Sequence, residues 1–390
     1  MDFQYVLLIT FILLMILFSW IQRKNITLQG VFPLFYFAMW RTQKGLKFMD
    51  RLAQLMPGFW SWFFGAGIFV GFAGMIFISY ELVRNTIHLI IAPGIAPGIQ
   101  PVLPFEAKGV FFVPFVYWLL SIFVIAFVHE FCHGIAAKIY RMPVKSAGLA
   151  FLGIFVPLVP AAFVEPDEEY LKKQSHFRQL SVFAAGPFSN LLTAGIIFLV
   201  IALIANPLAE SMLVPSGARI TSVEEGSPAA LAGMHEGEII NGIDGAQMLY
   251  LENLSSILAS KKPGDTITLK TNVSSYNIVL AASPKNASKA YLGILSRQHA
   301  EITESFKQKY GLWSVPVILW TFGLLYWLFL LSLGIGLFNL LPIGPIDGGR
   351  MLQLAMQKIF KQQNGERVWR FISFVFLLLV IANVIAGFMH

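Results

Sequence analysis

Apolar residues gather along this 390-residue chain in six runs long enough to cross a membrane as helices, at about 6–21, 59–78, 109–137, 179–205, 315–341 and 371–388. Between the second and third runs, the stretch 85–105 carries Pro93, Gly94, Pro97, Gly98, Pro101 and Pro104, and these helix breakers predict a loop. The segment 147–163 behaves differently. It is as apolar as a span but is broken by Gly148, Gly153, Pro157 and Pro160, which predicts a re-entrant hairpin rather than a crossing helix. An acidic then basic patch follows (Glu165, Asp167, Glu168, Glu169, Lys172, Lys173) and reads as a solvated connector. From about 210 to 297 the chain turns polar, with short alternating stretches such as 266–270, and predicts a small water-soluble domain. The expected organisation is an anchor region at 1–108, a membrane core at 109–208, the soluble insert at 209–298, and the rest of the core at 299–390.

Composition agrees with the pattern. Hydrophobic residues make up 56% and charged residues 13%, and the mean hydropathy is +0.69, values that place the chain among polytopic membrane proteins rather than soluble domains. The formal charge of +7 comes from basic residues near the ends of apolar runs, where they set orientation, so no nucleic-acid partner is read from it. Arg23 and Lys24 follow the first run, which has Asp2 before it and no small-residue cleavage pattern, and it reads as a retained anchor. Arg41, Lys44, Lys47 and Arg51, mixed with aromatics and leucines, suit a helix lying on the cytoplasmic membrane surface. Lys138, Arg141 and Lys145 place the end of the third run on that same side, with the amino terminus and the soluble insert outside. The single cysteine, Cys132, excludes an intrachain disulfide.

Two polar motifs interrupt the apolar pattern. His129-Glu130-Phe131-Cys132-His133 lies inside the third run; on a helix its histidines, four apart, share one face and can both ligate zinc, with Glu130 beside them. Asn339 to Arg350, NLLPIGPIDGGR, ends the fifth run on the same side, where Asp347 could complete two histidines and a carboxylate as an open zinc site. Plainer readings stand beside these. HExxH arises by accident in long sequences, and membrane histidines often only bond to neighbours. Asp347 could cap a helix starting at Gly348, and Asn190, in AGPFSN, could make an ordinary interhelical hydrogen bond.

As a set, from about Phe111 onward, HEFCH, AGPFSN and FNLLPIGPIDGG resemble the three ordered motifs of the site-2 proteases, zinc metalloproteases that cut peptide bonds within or beside the membrane. The resemblance implies one Zn2+ per chain, held by His129, His133 and Asp347, with Glu130 as the catalytic carboxylate. It also implies that Asn190 and Asn339 border the site, holding an extended substrate or stabilising the oxyanion. The hairpin before Phe163 looks like the family's membrane-embedded β-type hairpin, which aligns substrate as an added strand. The insert resembles a small α+β PDZ domain, with its signature at 226–245 and its groove loop at Tyr291, Leu292, Gly293 and Ile294, serving either to capture peptide or to filter substrates by size. The fold class so implied is an α-helical polytopic membrane protein of about six transmembrane helices with these two additions. The partners implied are the lipid bilayer and single-span membrane proteins, pre-cleaved by another protease, in a prokaryotic plasma membrane. Two rival classes stay open: an inactive PDZ-bearing binding protein, expected to have lost a ligand, and a metal or proton transporter, expected to spread its ionisable groups through the membrane depth. Oligomeric state is not read from the sequence.

Overall fold

The computed structural model describes residues 3–31, 35–91, 97–154, 156–284 and 286–389. Asp2, Pro93 and Gly94, used in the sequence reading, lie outside them. Helix α1 (Phe3–Ile21) leads into two strands, β1 (Ile26–Val31) and β2 (Phe35–Thr42), and a ten-residue helix α2 (Leu46–Leu55). The surface helix predicted from Arg41, Lys44, Lys47 and Arg51 is shorter than expected: Lys47 and Arg51 lie on α2, but Arg41 belongs to a strand. Its neighbours Phe35, Tyr36, Phe37 and Trp40 are β-formers, and β2 finds partners on both sides, which overrides the amphipathic reading.

Helix α3 (Pro57–Ile91) starts with proline at its first position and runs 35 residues, beyond the expected end at 78. At about 1.5 Å per residue it spans roughly 52 Å, more than a hydrocarbon core of roughly 30 Å. Its polar continuation is held by an ion pair between Arg84 and Glu81 (2.7 Å). The predicted loop therefore begins only after Ile91. Two short parallel strands, β3 (Val102–Leu103) and β4 (Phe111–Phe112), precede α4 (Phe115–Ile139), whose start is set by Pro114 rather than by the earlier apolar residues. The predicted hairpin is present as β5 (Val144–Ile154) and β6 (Val156–Pro166).

The four strands form one antiparallel sheet in the order β1-β2-β5-β6. Alternation gives it two faces. One carries Tyr36, Ala38 and Phe151, buried with Met15 and Phe18 of α1. The other carries Gln29, Met39, Arg41, Ser146, Gly148, Phe163 and Glu165. The connector after β6 contains a helical turn, α5 (Glu168–Lys172), capped by Asp167, which accepts the Tyr170 N–H at 3.0 Å.

Helix α6 (His176–Val200) contains Pro187 and passes through a π-turn (Ile201–Ala205) into α7 (Asn206–Met212). Pro207 has no N–H to donate to the preceding turn, which suits the wider loop there. The chain forms two compact units, Met1–Ile201 with Trp320–His390, and Ala202–Leu319. In the second, a sheet ordered β11-β10-β8-β7-β14 is built from β7 (Leu213–Val223), β8 (Ile239–Ile243), β10 (Thr266–Thr271), β11 (Ser275–Val279) and β14 (Ile294–Ile302), with β9 (Ala246–Gln247) paired to β8. A small ribbon, β12 (Ala281–Ser283) and β13 (Asn286–Tyr291), and helices α8 (Pro228–Leu231), α9 (Leu251–Ser260) and α10 (Glu304–Tyr310) complete it. Ile267 and Leu269 point inward from β10 while Thr266, Thr268 and Lys270 point out, so the alternation read at 266–270 is that of a half-buried strand.

Helix α11 (Ser314–Phe338) ends before the NLLPIGPIDGG segment, α12 (Asp347–Phe360) follows it, and α13 (Gln362–Met389) closes the chain. Among the described residues, six helices are long and apolar enough to cross a membrane: Phe3–Ile21, Pro57–Ile91, Phe115–Ile139, His176–Met212, Ser314–Phe338 and Gln362–Met389.

Candidate metal centre

Helical spacing puts His129 and His133 on one face of α4, and both are buried. Their Nε2 atoms lie 3.1 Å apart, and Asp347 Oδ2 is 3.1 Å from the first and 3.4 Å from the second. Ligands bound to zinc at about 2.0–2.1 Å in a tetrahedron stand about 3.3 Å from one another. The three atoms therefore fit a single zinc ion.

The surroundings fix the histidines for ligation. His133 Nδ1 donates to the Val182 carbonyl at 2.7 Å, in the turn loosened by Pro187, which leaves the Nε2 lone pair facing the site. His129 Nδ1 lies 3.0 Å from the Asn190 amide, whose remaining atom, Oδ1, is buried without a partner. A metal at Nε2 leaves the proton on Nδ1, and the same amide turned over offers its oxygen to that proton. Asn190 is 0% exposed. It stands behind His129, on the Nδ1 side of the ring.

Close backbone approach completes the centre. A Cβ at Gly186 would stand 2.4 Å from both Nε2 atoms, so only glycine lets α6 lie against the histidines. Asp347 is the first helical residue of α12, with Ile346 as its cap, and its carboxylate turns to the histidines rather than capping the helix. A Cβ at Gly348 would meet the Leu340 carbonyl at 2.3 Å, and the Gly348 N–H donates to the Asn339 carbonyl at 2.8 Å, so this glycine folds the segment back far enough to bring Asp347 in.

Glu130 stays out of the ligand trio. Its Oε2 accepts the Val164 N–H of β6 at 2.8 Å. These residues open on a cavity of about 480 Å³ also lined by Asn339, Val182, Arg350 and the sheet face. Gln29, Met39 and Arg41 also line the cavity and were missed; the basic-cluster reading hid Arg41, and only strand pairing brings the three there. Glu165 is held below its ordinary carboxylate range by the Ser146 hydroxyl first and then by Arg41.

In the second unit, Tyr291, Gly293 and Ile294 line a separate cavity of about 510 Å³ with Ser222, Glu224 and Leu295. Leu292, between them, is 2% exposed and packs its side chain in the domain core. Gly293, at φ +82, turns its carbonyl to the Glu224 N–H (2.9 Å).

The model of peptidase family M50 matches residues 117–382. Over 377 residues the chain is 28% identical to MJ0971, an uncharacterized protein of Methanocaldococcus jannaschii, covering 94% of this chain and 88% of that one. Over 281 residues it is 23% identical to the zinc metalloprotease RasP of Shouchella clausii, covering 58% of this chain and 65% of RasP. Among solved structures, the PDZ domain of an SdrC-like protein of Listeria innocua aligns with 21% of this chain and 96% of its own length, at 31% identity and a TM-score of 0.19.

Proposed function

The chain belongs to peptidase family M50 and is an integral multi-pass membrane protein, and we propose that it is an intramembrane zinc metalloprotease that hydrolyses peptide bonds of single-span membrane proteins. The observation that carries this reading is the convergence of His129 Nε2, His133 Nε2 and Asp347 Oδ2 within 3.1–3.4 Å, with Glu130 on the neighbouring turn position but outside the trio. That separation divides the labour. His129, His133 and Asp347 hold zinc, which when bound supplies a Lewis acid and lowers the pKa of water to roughly 7. Glu130 accepts the proton of the attacking water and returns it to the leaving nitrogen. Val164 N–H, bonded to Oε2, aims the carboxylate and leaves Oε1 for that exchange.

The substrate must present an extended chain, because a helix hides its amide bonds in internal hydrogen bonds. Strand β6 ends the sheet order on the side of α4, and its edge groups other than the Val164 N–H, which Glu130 holds, are the candidates for pairing such a chain; helix-breaking residues in a substrate should speed cleavage. Basic residues after α1 and α4 support a site toward the cytoplasm of a prokaryotic cell. Asn339, at the cavity border, is the remaining candidate for contact with substrate.

The test compares purified wild type with Glu130→Gln and Asp347→Asn for bound zinc and for cleavage of a tagged single-span protein. Wild type should hold one zinc and cut, Glu130→Gln should keep zinc without cutting, and Asp347→Asn should lose most of the metal. A wild type that holds no zinc and cuts nothing would sink the reading and leave the PDZ-bearing binding protein as the better account.

A further inference from the structure

The hairpin β1–β2 lies outside the region matched by the family, 117–382, yet it supplies Gln29, Met39 and Arg41 to the cavity that holds His129, Glu130, His133 and Asp347. Strand register explains how. Arg41 pairs with Gly148 and Gly148 with Phe163; Met39 pairs with Ala150; Gln29 pairs with Phe37 and Phe37 with Leu152. Residues directly opposite one another share a face, so the hairpin continues the wall begun by Phe163 and Glu165.

Among the described residues, the charged groups of the wall are paired. Arg41 Nε bonds to Glu165 Oε2 at 3.4 Å, and the Ser146 hydroxyl donates to the same oxygen at 2.8 Å. Beside this pair, the Met39 sulfur lies 3.9 Å from Arg41 Nη2. Among the described residues the Gln29 side-chain amide has no hydrogen-bond partner. A charged side chain entering here would meet a cation and a carboxylate, both partly exposed, that are already paired with each other. An uncharged one would meet a flexible thioether, an aromatic ring and a free amide.

We propose that the N-terminal hairpin builds a substrate subsite: it receives one uncharged side chain beside the scissile bond, with Met39 setting the size it accepts and Gln29 offering a hydrogen bond at its far side. This rests on the proteolytic reading above. A hairpin that only braced the fold would affect all substrates alike, whereas a subsite changes their ranking.

The experiment uses the full-length protein in proteoliposomes with single-span substrates that differ only beside the cut bond, carrying Ala, Leu, Phe, Lys or Asp. Wild type should prefer Leu or Phe over Lys and Asp. Met39→Trp should lower the Phe-to-Ala ratio of kcat/KM by tenfold or more, in the range that one side-chain size step commands, and Met39→Ala should raise it. Zinc content is read alongside. Unchanged ratios in active variants of both kinds would overturn the subsite. A second arm needs no catalysis: a single-span substrate carrying photo-leucine beside the cut bond, irradiated with the Glu130→Gln chain, should cross-link to the hairpin at Met39 and not at Leu28, on the opposite face of β1. Cleavage by wild type with flat ratios and no cross-link at 39 removes the subsite and leaves the protease. A cross-link at 39 with no cleavage by wild type keeps the subsite and removes the protease.

Discussion

Replacing Gly186 with alanine tests the metal centre with one carbon atom. The new Cβ would stand 2.4 Å from Nε2 of both His129 and His133 and 2.6 Å from His129 Cε1. Comfortable contact needs about 3.5 Å, so the imidazoles or the helix must give by about 1 Å. A displacement of that size at a catalytic centre costs roughly a hundredfold in rate. Disturbing the shell that orients metal-bound histidines costs about 10- to 100-fold in affinity. The same substitution should not weaken the helix itself, because alanine is favoured over glycine in a helix interior by about 1 kcal/mol. The expected signature is therefore lost zinc and lost cleavage in a chain that still folds, with stability below metal-free wild type by no more than about 1–3 kcal/mol, the cost of overpacking. Gly195→Ala, in the same helix with nothing within 4 Å of its added carbon, is the control and should leave zinc unchanged. The assay is metal content by mass spectrometry after equilibration against a zinc buffer, with thermal melting of the detergent-solubilised protein. Wild-type zinc affinity in Gly186→Ala would refute the packing of α6 against the two histidines, and with it the geometry of the site.

Other substitutions reach the same site and its neighbours. Asn190→Ala should weaken zinc about 10- to 100-fold without touching substrate, visible as metal loss that excess zinc restores. Leu292→Ala should destabilise the second unit by about 2–5 kcal/mol, because the side chain is buried in its core, and limited proteolysis between 202 and 319 should accelerate. Glu165 has a carboxyl lowered from 4.5 by Ser146 and Arg41. Its contribution to stability is complete above that value and fades as pH falls through the lowered one, so the melting curves of wild type and Glu165→Gln should differ at pH 7 and converge in acid.

The motifs were legible because each is local. Two histidines four apart meet on any helix, so HEFCH needed no knowledge of its surroundings. Membrane spans were equally plain, since a run of apolar residues either is long enough or is not. Their ends were less so: α3 continues through Glu81 and Arg84, a charged pair that closes on itself and lets the helix pass out of an apolar setting. Asp347 was placed by side and depth alone, and the contact was made by glycines that allow backbone to lie on backbone. Asn190 shows the limit of motif reading. Its place was given by the pattern, but whether it faces substrate or a histidine depends on which way α6 turns, and Pro187 and Gly186 set that.

The walls of the cavity belong to another class of information. Arg41 and Glu165 stand 124 residues apart and touch only because β2 pairs with β5 and β5 with β6. Such pairing depends on register, and a slip of one residue would send Arg41 to the face that packs on α1 and bring Trp40 to the site. No composition rule chooses between those outcomes at 35–42, where aromatic residues occupy both faces. What does choose is the burial of Tyr36, Ala38 and Phe151 against Met15 and Phe18 of the first span. Burying them commits the alternate positions, Met39 and Arg41, to the metal centre. The first span and its hairpin therefore shape the cavity beside the candidate metal site through sheet register, without adding to the His129, His133 and Asp347 trio.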